Sequence, residues 1–280
     1  MVIQVAAKSD IGCCREKNED SFFVDSVNGL FIICDGMGGH VAGEVAAQKA
    51  IELTVDFLTR AKEQRILPTK RDRDFSDVWC HLIVESIENS CDQMIDFAES
   101  HPEFVGMATT ITVVQIVEGV AFVGHLGDCR LYLRHGDVVK QLTSDHTLFE
   151  EFAQANPNWI SANTESDMLK RFKHILTKCV GRQRDFNVDV FSFQLCTDDV
   201  LLLCTDGLSN YLTDEETVVN FLAQTDLDFV VKALIDFANL QGGSDNITAI
   251  VIQVLSLEDS DFDEFFFQAN ELEFVRREIQ

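Results

Sequence analysis

Leu30-Phe31-Ile32-Ile33-Cys34-Asp35-Gly36-Met37-Gly38-Gly39-His40 is the stretch on which the reading of this chain turns. Five apolar residues in a row read as a buried β-strand, and the run stops on a carboxylate followed by glycine. A strand that ends in this way delivers an acid to a sheet edge, where the following loop keeps it accessible. The arrangement recurs at Asp20 (Asn18-Glu19-Asp20-Ser21), Asp206 (Cys204-Thr205-Asp206-Gly207) and Asp245 (Gly243-Ser244-Asp245-Asn246), and Gly127-Asp128 follows a further apolar run. One such Asp is an ordinary turn residue. Four or five suggest carboxylates converging on hard cations, and oxygen-only ligands favour Mg²⁺ or Mn²⁺. The chemistry expected of such a cluster is metal-assisted hydrolysis, with phosphate as the target.

Outward from that stretch, short β-rich runs are expected at 3–7, 21–25, 30–34, 109–117, 120–125, 130–134, 188–193, 200–204 and 247–254. Asn28-Gly29, Glu118-Gly119 and His135-Gly136-Asp137 join several of them by tight turns, which favours antiparallel hairpins over a parallel array. Two long helical stretches interrupt the strands. The first follows the Gly-rich loop, with Val41, Val45, Ile51, Val55 and Leu58 at helical spacing; the second repeats apolar residues at steps of three and four from Phe75 to Ala98. Asp74 or Ser76 is placed to cap the second. A weaker helical pair covers 214–222 and 226–240. Strands in two clusters with helices between and after them imply a sandwich of two antiparallel β-sheets flanked by α-helices, of the α/β (α+β) class. Residues 62–74 read as a solvated linker, and residues 143–172 as a polar, irregular flap insert.

Composition narrows the function. The chain of 280 residues carries 47 acidic against 22 basic side chains, a formal charge of −25. Such a surface repels nucleic acid and anionic membranes. Nine Cys occur without a C-x-x-C pair or zinc-type spacing, which suits a reducing cytoplasm better than secretion. The N-terminus enters strand alternation at once and lacks the regions of a signal peptide. No apolar run reaches the roughly 18 residues that span a bilayer. Other phosphate chemistries fail on motif: no Cys is followed six residues later by Arg, and no G-x-x-x-x-G-K-[ST] loop is present. Asp226-Leu227-Asp228-Phe229-Val230 formally matches an aspartyl-phosphate signature but lies in a helical pattern rather than after a buried strand.

Seven motifs in order carry a resemblance. Ser9-Asp10-Ile11-Gly12, Arg15 and Asn18-Glu19-Asp20 come first, then Asp35-Gly36-Met37-Gly38-Gly39-His40 with Gly43-Glu44. Met107-Ala108-Thr109-Thr110, Gly124 to Arg130 and Leu142-Thr143-Ser144-Asp145-His146 follow. Leu201 to Leu208 and Gly242 to Thr248 complete the set. Together they resemble the metal-dependent serine/threonine protein phosphatases of type 2C, in the bacterial stand-alone form. The resemblance implies a four-layer sandwich and hydrolysis of phosphoserine and phosphothreonine by a metal-bridging hydroxide, without a phosphoenzyme. It implies Asp35 as the carboxylate bridging two Mn²⁺ or Mg²⁺ ions, with the Gly36 carbonyl, Asp20, Asp206 and Asp245 completing their shells and Glu19 behind them. Asp128 with Asp206 would hold a weaker third ion, and Arg15 would grip the phosphate through its planar fork.

Some readings stay open. Animal relatives have His at the position of Met37; His40 stands three residues on, at a helix start, placed to donate a proton, orient a water or cap the loop. Lys170, Arg171, Lys173, Lys178, Arg182 and Arg184 either steer an anionic substrate or pair with the acidic surface. Ala108 and Cys179-Val180-Gly181 depart mildly from the family pattern. The expected organisation is a catalytic domain over 1–256, with an acidic C-terminal extension over 257–280 whose five Phe favour docking on the core. A monomer acting on a phosphorylated protein in the cytoplasm is expected. The alternative is a catalytically weak phosphoprotein-binding regulatory module on the same fold; modules of that kind lose metal carboxylates, and this chain keeps them.

Overall fold

The computed structural model describes residues 1–38, 42–64, 67–156, 167–257 and 275–276. In chain order the strands are β1 (Val2–Asp10), β2 (Asp20–Asp25), β3 (Leu30–Met37), β4 (Ala108–Thr109), β5 (Ile111–Val117) and β6 (Val120–Leu126). They continue with β7 (Arg130–His135), β8 (Val138–Gln141), β9 (Asp189–Gln194), β10 (Val200–Cys204), β11 (Ile247–Ser256) and β12 (Val275–Arg276). The helices are α1 (Ala42–Gln64), α2 (Phe75–Ser100), α3 (Leu148–Ala155), α4 (Asp167–Phe172), α5 (Asp206–Ser209), α6 (Glu215–Leu222) and α7 (Leu227–Leu240). One sheet has the order β1-β11-β10-β7-β8; the other runs β12-β9-β6-β5-β3-β2, with β4 paired beside β3. Every strand pair is antiparallel.

Three apolar layers separate four structural ones, and the strands show why. In β3, Leu30, Ile32 and Cys34 face α1 and α2, while Phe31 and Ile33 face the opposite sheet. In β10, Leu201 and Leu203 meet those inter-sheet residues, while Val200, Leu202 and Cys204 turn towards α6 and α7. Successive side chains point to opposite faces, so a strand apolar at every position is one buried on both sides. That is the physical content of the continuous run from Leu30 to Cys34. The expected two-sheet sandwich flanked by helices is therefore what the chain forms.

Several local expectations need correction. Strand β3 does not stop at Cys34; it continues through Asp35 to Met37, because Gly36 and Met37 pair with Thr109 and Ala108 of β4. Helix α1 extends to Gln64, so the first residues of the expected linker are helical. The described parts of the insert contain two helices, α3, whose N-cap Thr147 accepts the Glu150 N–H, and α4. Asp74 occupies the N-cap position of α2 without a side-chain cap bond. Asp226, rejected above as a phosphate-carrying residue, instead caps α7 by accepting the Phe229 N–H. Of the acidic C-terminal extension, Leu257, packed against the inter-sheet core, and β12, which pairs with β9, fall within the described residues.

Contact between β6 and α2 depends on one missing side chain. A Cβ on Gly124 would lie 2.3 Å from Ile83 Cγ2 and 2.9 Å from Ile87 Cδ1. Gly124→Val should overpack this layer at a cost of about 2 kcal/mol and lower Tm by about 4–8 °C. Thermal denaturation checks this, and an unchanged Tm would show that α2 shifts without penalty.

Candidate metal centre

Asp20 opens β2 and stands directly opposite Asp35 of β3, so the register alone sets two carboxylates side by side. Like charges in that relation repel, and the surroundings hold them there. Asp35 is clamped by its backbone: its N–H donates to Thr110 Oγ1 at 2.9 Å, and its carbonyl accepts from the Thr110 N–H and the Thr109 hydroxyl, both at 2.9 Å. Asp20 Oδ2 accepts from the hydroxyls of Thr205, just after β10, at 2.9 Å and Thr248 of β11 at 2.7 Å, both from the other sheet's side of the sandwich. Hydroxyls thus tie the two sheets together at the end where the acids collect.

The other carboxylates arrive at the same end from separate elements. Asp206 opens α5 immediately after β10, and Asp245 precedes β11. Asp128 lies in the turn between β6 and β7. That turn needs Gly127, which has φ of +112°. His146 fixes it from both sides: its Nδ1 accepts the Gly127 N–H at 3.0 Å, and its N–H donates to the Gly127 carbonyl at 2.7 Å. His146 stacks on buried His125, with ring centroids 4.9 Å apart. Burial first, and then the neighbouring His146, push the His125 imidazole down to about 3, so it packs as a neutral ring.

The result is a cleft of about 860 Å³ lined by Arg15, Glu19, Asp35, Gly36, Asp128, Asp206 and Asp245, seven of the nine residues singled out by sequence. Asp20 is buried beside it, with a smaller cavity of about 360 Å³ on its other flank. His40 lies outside the described residues. Gly36 is required by close approach, because a Cβ there would sit 2.1 Å from the Gly43 carbonyl oxygen. Glu19 is wedged against the start of α1: a Cβ on Gly43 would meet its carboxylate carbon at 2.6 Å. Arg15 reaches across the cleft and donates to Asp245 Oδ2 at 2.6 Å, with half of its side chain exposed.

The electrostatics of this cluster demand a cation. Burial, followed by the charges of Asp20, Asp206, Asp128 and Asp245, pushes the Asp35 carboxyl well above its ordinary range. Burial and Asp206 do the same to Asp128. Asp206 is raised by burial and Asp245, although His174 partly offsets this. Asp20 is pushed up to about 7 by burial, against the two hydroxyls that favour its anion. Asp206 Oδ1 is buried and, apart from its Asp35 neighbour, meets no hydrogen-bond donor among the described residues. A set of oxygen donors that ionise only at a cost, one of them orphaned, fits hard divalent ions that restore the charge balance. The donor set therefore suits Mn²⁺ or Mg²⁺.

Some contributors carried no assigned role in the sequence reading. Thr110, Thr205, Thr248 and His146 fell inside the quoted motifs but looked like turn or strand residues. Asn246 accepts the Glu19 N–H and donates to the carbonyls of Ile11 and Lys17, pinning the loop that carries Arg15. His174 and Arg182 line the cleft from beyond α4. The basic cluster divides: Arg182 faces the cleft, whereas Lys178 pairs with Asp189 and Arg184 with Asp92 and Asp96.

Two helix-flanked antiparallel sheets with an acidic cleft at their common end define the architecture of metal-dependent protein phosphatases. The chain belongs to the protein phosphatase 2C family, whose model matches residues 15–233. It is 31% identical over 249 residues to the serine/threonine phosphatase stp of Listeria innocua, covering 88% of this chain and 94% of that protein. Among solved structures, the serine/threonine phosphatase PstP/Ppp of Mycobacterium tuberculosis superposes with a TM-score of 0.78 at 25% identity, over 91% of this chain and 100% of that one. A PstP catalytic domain in complex with two manganese ions superposes with a TM-score of 0.73 at 26% identity, over 91% and 99%.

A carboxyl raised by folding binds protons that the unfolded chain has already lost. Between the unfolded value of about 4 and the folded value of about 7 for Asp20, the metal-free native state holds more protons and loses stability as pH rises. In EDTA the Tm should therefore fall between pH 5 and pH 7.5, and Mn²⁺ should raise it more at pH 7.5 than at pH 5. Asp35→Asn should raise the Tm in EDTA and remove most of the Mn²⁺ response. Calorimetry across that pH range decides it; a Tm in EDTA that rises towards pH 7.5 would contradict the repulsion argument.

Proposed function

We propose that the protein removes phosphate from phosphoserine and phosphothreonine in proteins by direct attack of water, assisted by divalent metal and without a phosphoenzyme. The observation that carries this is the convergence of Asp20, Asp35, Asp128, Asp206 and Asp245 at one end of the sandwich, where burial and then the neighbouring carboxylates raise the pKa of Asp20, Asp35, Asp128 and Asp206. The relatives named as serine/threonine phosphatases, and the neighbour solved with two manganese ions, support it. Asp35, the Gly36 carbonyl, Asp20, Asp206 and Asp245 would hold two ions, with Glu19 behind them; Asp128 and Asp206 would hold a weaker third. Bound there, the ions would supply water of lowered pKa near neutral pH and offset phosphate charge.

The chain's own residues would do the rest. The Arg15 guanidinium lies at the cleft with half its side chain exposed, so its planar fork can turn from Asp245 to two phosphate oxygens. Arg182 adds a second positive group to the same cleft. Thr110, Thr205 and Thr248 keep Asp35 and Asp20 in place, so little reorganisation is needed when substrate arrives. Met37 and Gly38, which lead towards His40, line the cleft. A monomer in the cytoplasm is part of the same reading. Among the described residues no helix is long and apolar enough to cross a membrane.

Hydrolysis of a phosphothreonine peptide should require Mn²⁺, cease in EDTA, and fall by about 10²-fold or more in Asp206→Asn. Arg15→Ala should raise KM by about tenfold, as expected for one lost charged hydrogen bond. Metal-bound protein that releases no phosphate, yet binds phosphopeptide after chelation, would point to a regulatory binding module instead. His40→Asn separates that residue's three roles. A proton donor would slow phosphoserine peptide hydrolysis while sparing p-nitrophenyl phosphate, whose leaving group needs no proton. Equal slowing would indicate water orientation, and a lowered Tm without a rate change would indicate a cap.

A further inference from the structure

The end of the sandwich remote from the cleft carries a second group of metal-binding side chains. His135 closes β7, and Cys196 and Asp199 lie in the turn that leads into β10. One ligand atom from each can be chosen so that all three lie within 4.8 Å of one another. The turn is pinned rather than loose. Asp199 N–H donates to the Cys196 carbonyl at 3.2 Å, and Cys196 N–H donates to Asp199 Oδ2 at 2.8 Å. Asp198 and Asp199 tie the turn to β11, since Asp198 N–H donates to the Val254 carbonyl and Val254 N–H to the Asp199 carbonyl. Asp198 takes a φ of +70° to make that connection.

The Asp199 carboxylate is buried, and its Oδ1 faces His135 Nδ1 at 2.7 Å, across a side chain that is half exposed. Arg134 is the nearby cation; its Nη2 is directed to the Asp198 carbonyl at 3.4 Å. A buried carboxylate, an imidazole and a thiol on fixed backbone offer one oxygen, one nitrogen and one sulfur. That set suits a borderline-soft ion with three protein ligands and a water in the fourth position, the open side being that of His135.

We infer that His135, Cys196 and Asp199 form a second divalent-metal site, selective for zinc-like ions over the manganese or magnesium suited to the cleft. The two sites lie at opposite ends of the same strands. His135 is separated by the length of β7 from Arg130, two residues after Asp128, a span of roughly 17 Å at strand rise. Likewise, Asp199 precedes β10 and Asp206 follows it. An ion at this site would staple the β7–β8 hairpin to the turn before β10, and would not touch substrate. The site does not depend on the phosphatase reading of the cleft.

Cobalt distinguishes the sites, because a thiolate ligand gives Co²⁺ a near-ultraviolet charge-transfer band that oxygen ligands do not. Full-length protein saturated with Mn²⁺ should develop this band with one equivalent of Co²⁺, and one equivalent of Zn²⁺ should bleach it. Cys196→Ser should abolish the band, and His135→Gln should weaken binding at least about tenfold. Both variants should retain Mn²⁺-dependent hydrolysis, and Cys196→Ser should keep its Tm in zinc-free buffer, which shows that they fold. No band in the wild type would overturn the proposal. So would a band that survives Cys196→Ser, which would move the ligand to the exposed Cys13 or Cys14.

Discussion

Burial of carboxylates beside one another governs this molecule. Asp20 and Asp35 are paired across neighbouring strands, and Asp206 and Asp245 come from the facing sheet, so the sandwich closes only by crowding acids at one end. Hydroxyls relieve Asp20, and backbone bonds anchor Asp35, but neither supplies a positive charge. Among the described residues Arg15 is the cation that pairs with Asp245, from the exposed rim. The fold therefore stores an unfavourable charge arrangement that divalent ions relieve, and the same arrangement is what makes the cleft chemically useful.

The scaffold tolerates that cost because the rest of it is heavily overdetermined. Three separate apolar layers hold four structural ones, and strands such as β3, β10 and β11 are apolar on both faces. Asp35, Asp128, Asp206 and Asp245 each lie in, or within two residues of, a strand buried in this way, so their backbones have little freedom. The site is rigid where it holds charge. Its outer wall, with His174 and Arg182, comes from the connection beyond α4 rather than from a sheet. Substrate selection has room to vary there without disturbing the carboxylates.

Much of this was legible in the residues. An apolar run too short for a helix and ended by Asp-Gly reads as a two-faced strand delivering an acid, and Leu30 to Gly36 behaves so. The helical period from Phe75 to Ala98 marks α2 almost end to end. Local reading failed where a distant partner decides the structure. Gly36 and Met37 look like loop residues until β4, some seventy positions later, pairs with them. The insert looked irregular because α3 and α4 are short, and short helices carry too few turns to show a period.

The sequence by itself determined the layered sandwich and the list of acids, since both rest on local signals: alternation, turn residues and strand-terminal carboxylates. Only the tertiary structure decided which acids meet, how strongly each resists ionisation, and which hydroxyls hold them. It also decided that Lys178 and Arg184 are spent on internal pairs while Arg182 faces the cleft. His135 and Asp199, sixty-four positions apart, become neighbours only when β7 pairs with β10. Charge interactions depend on distance and burial through space, and neither quantity is written along the chain.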